Sequence, residues 1–357
     1  MIPIAKPLIG EEEKAAVLRV LDSGCLAQGP EVEAFEKEFA KFVGAKYAVT
    51  TTSGTTALWL ALMALNIGGG DEVITTPFSF IASSNSILYA SAKPIFADIK
   101  AETYNIDPAK IENKITKKTK AIIPVHLYGY PAEMEKIMVI AKKYNLKVIE
   151  DACQAHGAKI NGKSVGSFGD AACFSFYPTK NMTTGEGGIV TFKDKSVYEK
   201  ALMLRAHGMK IRYHHEILGH NLRMTDIHAS IGREQLKKLP DFNKKRQNNA
   251  AKLTKTINSK KVNLPQVEDG YEHVFHQFTI TTNDRENVIK TLDEKGIGTG
   301  IHYPICINEQ PFYKKMGYSP EDTPVAHEVS RKVISLPIHP ALTDEEIQII
   351  SDTINSL

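Results

Sequence analysis

Lys180 follows the apolar run Cys173-Phe174-Ser175-Phe176 and the turn Tyr177-Pro178-Thr179, and it precedes Thr183-Thr184-Gly185-Glu186-Gly187-Gly188. Most lysines are solvated surface groups. One held at a strand end in a glycine-rich pocket loses water, which lowers its pKa and makes its amine a nucleophile toward a carbonyl. Two other segments carry comparable chemistry. In Thr51-Thr52-Ser53-Gly54-Thr55-Thr56, Gly54 permits a tight turn into a helix, whose first N–H groups and flanking hydroxyls favour a phosphate. The same residues also suit an ordinary capped helix start. In Val148-Ile149-Glu150-Asp151-Ala152, two acids end an apolar run. A carboxylate there can hold a protonated ring nitrogen or a sugar hydroxyl, or it can cap the next helix.

The elements that must position these residues follow from periodicity. Apolar residues recur at Val17, Leu18 and Leu21, then at Val32, Phe35, Phe39 and Phe42, with Gly24 and Gly29-Pro30 as punctuation, so 11–43 reads as helices. Short β-branched runs then predict strands at 47–51, 72–75, 94–98, 121–125, 147–150, 171–176 and 188–192, with helices such as 56–65 and 134–144 between them. Repeated strand–helix–strand units imply an α/β fold with a mostly parallel sheet covered on both faces. In such sheets ligands bind beyond the carboxyl ends of the strands, where all three segments lie. A charged helix is expected at about 234–258. Beyond it come a strand at 274–281, a helix at 285–295, a strand at 298–303 and a closing helix at 344–355. We divide the chain into a large domain, 1–235, and a small C-terminal domain, 236–357.

Composition sets outer bounds. The 357 residues are 42% hydrophobic and 24% charged, with net charge +3. That mild basicity does not indicate nucleic acid or a membrane surface. Cys25, Cys153, Cys173 and Cys306 are widely spaced, with no CxxC pair, and argue for neither a disulfide scaffold nor zinc. The start, Met-Ile-Pro-Ile-Ala-Lys followed by Glu11, Glu12 and Glu13, does not read as a secretory signal, and no apolar run reaches the roughly 18–20 residues of a membrane helix. The expected location is cytoplasmic. His215 and His220 are one residue too far apart for a zinc-protease helix, and no metal is expected. The glycines at 296–300 lack the last glycine of a dinucleotide fingerprint. The basic stretch 237–255 reads as a solvated helix face.

A phosphate cradle, an acid for a ring nitrogen and a Schiff-base lysine, each at a strand exit, are the requirements of pyridoxal phosphate. With these motifs the chain resembles the DegT/DnrJ/EryC1/StrS family of sugar aminotransferases. The resemblance runs from Pro7-Leu8-Ile9-Gly10-Glu11-Glu12-Glu13 and Gly29-Pro30 through Ser53-Gly54-Thr55 and Glu150-Asp151-Ala152-Cys153-Gln154-Ala155-His156-Gly157. It continues through 174–188, Asn221-Leu222-Arg223-Met224-Thr225-Asp226 and His302-Tyr303-Pro304 to Leu336-Pro337.

The resemblance implies the fold-type-I aminotransferase architecture, pyridoxal 5'-phosphate as cofactor and a homodimer with shared active sites. It assigns Lys180 to the Schiff base and the proton shuttle, and Asp151 to the pyridine nitrogen. Gln154 goes to the phenolic oxygen, where many relatives have His. Gly54, Thr55 and Ser175 go to the phosphate, Phe80 to the ring face, and Asn221 to the phosphate of the neighbouring subunit. A related dehydratase branch has His at the lysine position, and Lys180 excludes it. The sequence Thr-Thr-Gly-Glu-Gly-Gly at 183–188 resembles relatives that aminate C4 of a nucleotide-linked 4-keto-6-deoxy sugar with glutamate as donor. Glu186, Arg223, His302 and Tyr303 are the candidate sugar contacts. The alternatives are amination at C3 or of a cyclitol ketone and, from another class, a non-catalytic regulator on the same fold that senses ligands or binds DNA.

Overall fold

Two helices open the chain, α1 (Glu11–Ser23) and α2 (Pro30–Val43), and each stops at a glycine with positive φ, Gly24 and Gly44. The computed structural model describes every residue, Met1–Leu357. The N-terminus of α2 is capped from far away. Asp226 accepts hydrogen bonds from the amides of Gly29 (2.8 Å), Val32 (3.0 Å) and Glu31 (3.3 Å). A Cβ at residue 29 would lie 2.7 Å from the Asp226 carboxylate, so only glycine fits the approach.

The chain then alternates strand and helix: β1 (Tyr47–Thr51), α3 (Gly54–Ala64), β2 (Glu72–Thr75), α4 (Ala82–Tyr89), β3 (Lys93–Phe96), β4 (Thr119–Ile123), α5 (Met134–Tyr144) and β5 (Lys147–Asp151). With Ala171–Ser175 and Gly188–Phe192 these strands form one seven-stranded sheet in the order β1, Gly188–Phe192, Ala171–Ser175, β5, β4, β2, β3. Pairing is parallel from Ala171–Ser175 across to β3. Gly188–Phe192 is antiparallel to both of its neighbours. The expected α/β architecture with a mostly parallel sheet is therefore present.

Successive strand residues face opposite sides, and the two faces bury different helices. Val49, Ile149, Cys173 and Val190 pack against α3 and the helix Lys195–Arg205. Ala48, Ala172, Phe174 and Ile189 pack against α2, and Ile74, Ile122 and Val148 against α5. α3 is apolar around most of its circumference because it is buried between the sheet and other helices.

The basic stretch lies on one long helix, Asp226–Thr256. Lys237 pairs with Glu234, Lys238 with Glu12 and Glu13, Lys245 with Asp241, and Lys252 with Asp344. Lys237, Lys244, Lys245, Lys252 and Lys255 are exposed, as a solvated face requires, whereas Arg246 is buried, and Lys238 and Lys252 tie the helix to α1 and to the closing helix Asp344–Asn355. A three-stranded antiparallel sheet follows, Val262–Asn263, Phe278–Thr282 and Val333–Leu336. The expected strand at 298–303 is absent. Gly300 makes a single bridge to Ser335, and Ile297 bridges Ile2. Gly298 passes so close to Ile2 and Ile4 that a Cβ would lie 3.1 Å from their backbone atoms. Pro304, just beyond, has no N–H to extend a ladder. No helix is long and apolar enough to cross a membrane.

Candidate active site

The alternation of β5 decides what its two terminal acids do. Glu150 points with Val148, away from α3, and is fully buried. One carboxylate oxygen accepts from the amides of Phe168 and Gly169, both at 2.8 Å. The other accepts from Gly166 (2.9 Å) and faces His126 Nε2 at 3.1 Å. His126 Nδ1 accepts from the Ala132 amide, so its proton lies on Nε2 and is donated to Glu150. Burial pushes the Glu150 carboxyl up, but His126 and the backbone amides outweigh it and hold it below its usual range.

Asp151 points with Ile149, toward α3, and is 4% exposed. Ser83 donates to its Oδ2 at 2.6 Å and the Cys153 amide to Oδ1 at 3.2 Å. Its backbone is tied across β4 by the Val125 bridge, with Asp151 N–H donating to Pro124 and His126 N–H to Asp151. Unlike Glu150, this carboxylate borders a cavity of about 530 Å³.

Lys180 lies on the wall of the same cavity. The turn that carries it is clamped on both sides. Its own amide donates to Tyr177 at 2.9 Å, the Thr183 hydroxyl to Phe176 at 2.8 Å, and Asn181 to Asn243 (2.8 Å) and Val274 (2.9 Å). Gly187 and Gly188 are required there. A Cβ would lie 2.4 Å from Thr184 Oγ1 at the first and 2.3 Å from the Ser53 carbonyl at the second. The Lys180 side chain is half-buried, and its ammonium has no ion pair or hydrogen bond within the protein. Loss of water pushes its pKa below the usual lysine value, and the nearby Cys153 and Asp151 only partly oppose this. Two of its neighbours, His302 and Cys153, favour their uncharged forms. Burial and then the lysine charge push His302 down to about 4, and burial drives the Cys153 thiol well up.

The third wall is the start of α3. The Ser53 hydroxyl caps the helix at the Thr56 amide, 3.2 Å away, leaving the first-turn amides of Gly54 and Thr55 outside the helical pattern. Gly54 packs so tightly that a Cβ would lie 2.7 Å from Ser175 Cβ and 2.9 Å from Cys153 Sγ. Gln154 is fixed through both of its amide atoms. Oε1 accepts from the Tyr128 amide at 2.8 Å and Nε2 donates to the Tyr303 hydroxyl at 3.2 Å. His302 Nδ1 lies 3.0 Å from Ser335 Oγ. Phe80, 56% exposed, stands at the lip beside Tyr303.

Ten of the twelve residues singled out from sequence line this cavity: Gly54, Thr55, Phe80, Asp151, Gln154, Ser175, Lys180, Glu186, His302 and Tyr303. Asn221 and Arg223 do not. Asn221 is exposed and pairs with Ala206 at the base of the hairpin strands Met209–Ile211 and His214–His215. Sequence reading missed Ser79, Ser83, Cys153, His276 and Gln277, which also line the cavity. Cys153 sits inside the quoted β5 motif. The two serines belong to the serine-rich stretch 79–86, a weak signal in itself, and nothing in the local sequence marks His276. No group of three or more His, Cys, Asp or Glu is placed to hold a metal.

The donor set fits pyridoxal phosphate: an unpaired amine of lowered pKa, a carboxylate with acceptor capacity left, and a helix N-terminus whose glycine excludes a side chain. The DegT/DnrJ/EryC1/StrS aminotransferase family model matches residues 7–355. The chain is 43% identical to the dTDP-3-amino-3,6-dideoxy-alpha-D-galactopyranose transaminase of Aneurinibacillus thermoaerophilus, over 97% of this chain and 95% of the relative. It is 40% identical to the GDP-perosamine synthase of Escherichia coli O157:H7, over 99% and 98%. Among solved structures, DesV of S. venezuelae superposes with a TM-score of 0.95 at 37% identity, over 97% of this chain and 94% of that one.

Proposed function

We infer that this chain, which belongs to the DegT/DnrJ/EryC1/StrS aminotransferase family, moves the amino group of glutamate onto C4 of a nucleotide-linked 4-keto-6-deoxy sugar. It is a transaminase of a family that acts on sugars and depends on pyridoxal phosphate. The donor, the ring position and the residue roles are the proposal, as is a cytoplasmic location. One observation carries it: the unpaired Lys180 amine shares a cavity with Asp151 and the α3 N-terminus.

Pyridoxal phosphate supplies, when bound, a carbonyl for the lysine and a ring that accepts electrons. Lys180 would hold it and, once released, carry the proton between substrate carbon and cofactor in both half-reactions. Its lowered pKa suits both tasks, since the neutral amine is the active form. Asp151 would keep the ring nitrogen protonated. Gly54, Thr55 and Ser175 would bind the phosphate, with neutral donors toward its negative charge. Gln154 would face the phenolic oxygen and Phe80 the ring. Glu186 at the mouth, with His302 and Tyr303, would meet the sugar. Asn221, exposed and off its own cavity, would serve the site of a partner subunit in a homodimer, and Arg223 beside it would join the sugar contacts from there.

The C4 assignment rests on Thr183-Thr184-Gly185-Glu186-Gly187-Gly188 and on Glu186 lining the cavity. A second reading, amination at C3, is favoured by the name of the 43% identical relative, a 3-amino-sugar transaminase. Supplying the holoenzyme and glutamate with a nucleotide 4-keto-6-deoxyhexose and, separately, its 3-keto isomer separates the two. We expect NMR of the product to show an amine at C4. Turnover of the 3-keto isomer alone would replace C4 by C3.

A further inference from the structure

Serine in a helix ordinarily turns its hydroxyl back onto a carbonyl one turn earlier. Ser86 of α4 does so, donating to the Ser83 carbonyl at 3.2 Å. Ser83 does not. It is 1% exposed, and its hydroxyl crosses to Asp151 Oδ2, 68 residues away in sequence, at 2.6 Å. That is a charge-assisted distance. Ser79, 4% exposed, lies 2.9 Å from the Ser83 oxygen. A hydroxyl has one proton. Ser83 gives its proton to Asp151, so the Ser79–Ser83 contact must use the proton of Ser79. The chain is directional: Ser79 donates to Ser83, which donates to Asp151, while the Cys153 amide donates to the other carboxylate oxygen at 3.2 Å.

We propose that Ser83, polarised by Ser79, is a positioning residue for Asp151 that keeps the proton on the cofactor's ring nitrogen rather than on the carboxylate. This rests on the assignment of Asp151 to that nitrogen made above. Donors to a carboxylate stabilise its charged form and make it a weaker base. In a nitrogen–proton–carboxylate contact, a weaker base leaves the proton on nitrogen. The bond to Ser83 also fixes the rotation of the carboxylate, so that its remaining lone pairs face the cavity. A buried apolar residue would fill the same helix position with no polar group to satisfy. The serine is therefore accounted for by what it does to Asp151 and not by packing.

The test uses holoenzyme reconstituted with pyridoxal 5'-phosphate carrying ¹⁵N at the ring nitrogen, which reports protonation directly. Asp151→Asn supplies the unprotonated reference. Ser83→Ala, a substitution a helix accepts readily, is expected to move the resonance toward that reference and to lower kcat about tenfold with little change in the KM for glutamate, the low end for a lost bond to a charged group. Ser79→Ala, one bond further away, is expected to shift both in the same direction by a smaller amount. A wild-type resonance in Ser83→Ala overturns the proposal even if activity falls, because a purely structural serine would leave nitrogen protonation alone. A wild-type protein that takes up no labelled cofactor overturns the functional reading, and this inference with it.

Discussion

On one side of β5, Glu150 is enclosed by three backbone amides and His126 and has no exposure to solvent. On the other side, Asp151 receives one hydroxyl and one amide and borders about 530 Å³ of open space. The residues are neighbours with the same chemistry, and both are buried. What separates them is how many of their lone pairs the fold itself uses. A carboxylate satisfied on every side holds a structure together, here the loop 166–169 against the strand. A carboxylate left with capacity, aimed at a cavity that also contains an unpaired amine, is available to a ligand.

The largest expected effect breaks the cavity side alone. Lys180→Ala should reduce transamination by about 10²–10⁴-fold, the range for loss of an acid–base group. Its urea unfolding midpoint should stay close to wild type or rise, since the ammonium has lost water without gaining an ion pair or hydrogen bond. Borohydride reduction of the wild-type holoenzyme, followed by peptide mass analysis, should find the cofactor on Lys180. A label on another lysine would refute the assignment.

Exchanging the two acids for their amides sharpens the comparison. Glu150→Gln turns an NH₂ toward existing donors and should cost about 3 kcal/mol of stability, read from the denaturant midpoint, while the folded fraction keeps near-normal kcat. Asp151→Asn should cost less, about 1 kcal/mol, because its NH₂ would meet the Ser83 hydroxyl, which can turn to accept, and should lower kcat about 10²-fold. The pH dependence of stability follows with the same sign. Glu150 has a folded pKa below the ordinary 4.5. Its contribution is complete above that value and is lost as pH falls through the lowered one. Glu150→Gln should therefore flatten acid unfolding below about pH 4.5. Equal stability losses in both variants would erase the distinction.

The smallest effect concerns the rim, where the cavity meets exposed elements. Lys180→Ala and Asn221→Asp, each inactive or impaired alone, are to be mixed. If Asn221 serves the partner's site, mixed dimers contain one doubly defective site and one intact site, and activity should recover to at most half of the mixed-dimer sites. Dimers confirmed by mass with no recovery would refute the shared site.

Much of this was legible in the sequence because it is local. Short β-branched runs located the seven strands of the main sheet to within about two residues, and the parallel fold placed their carboxyl ends together. That was enough to bring Lys180, Asp151 and Gly54 into one site. Read from the residues alone, either Glu150 or Asp151 could meet a ligand; only the resemblance assigned Asp151, and which of them meets the cavity was left to the packing. That depended on α3 lying on the Ile149 face. Ser83 and His276 could not be read at all. Serine on a short helix and a lone histidine near a strand start carry no periodic signature, and their partners lie tens of residues away. The strand expected at 298–303 failed for a related reason. Its residue types suit a ladder, but only single bridges form, Ile297 to Ile2 and Gly300 to Ser335, with Gly298 allowing the close approach of the N-terminal segment. The order of residues along the chain determined which elements form and which chemical groups stand at their ends. Only the packing of those elements decided which groups are satisfied by the fold and which remain free to act, because that depends on contacts between segments distant in sequence.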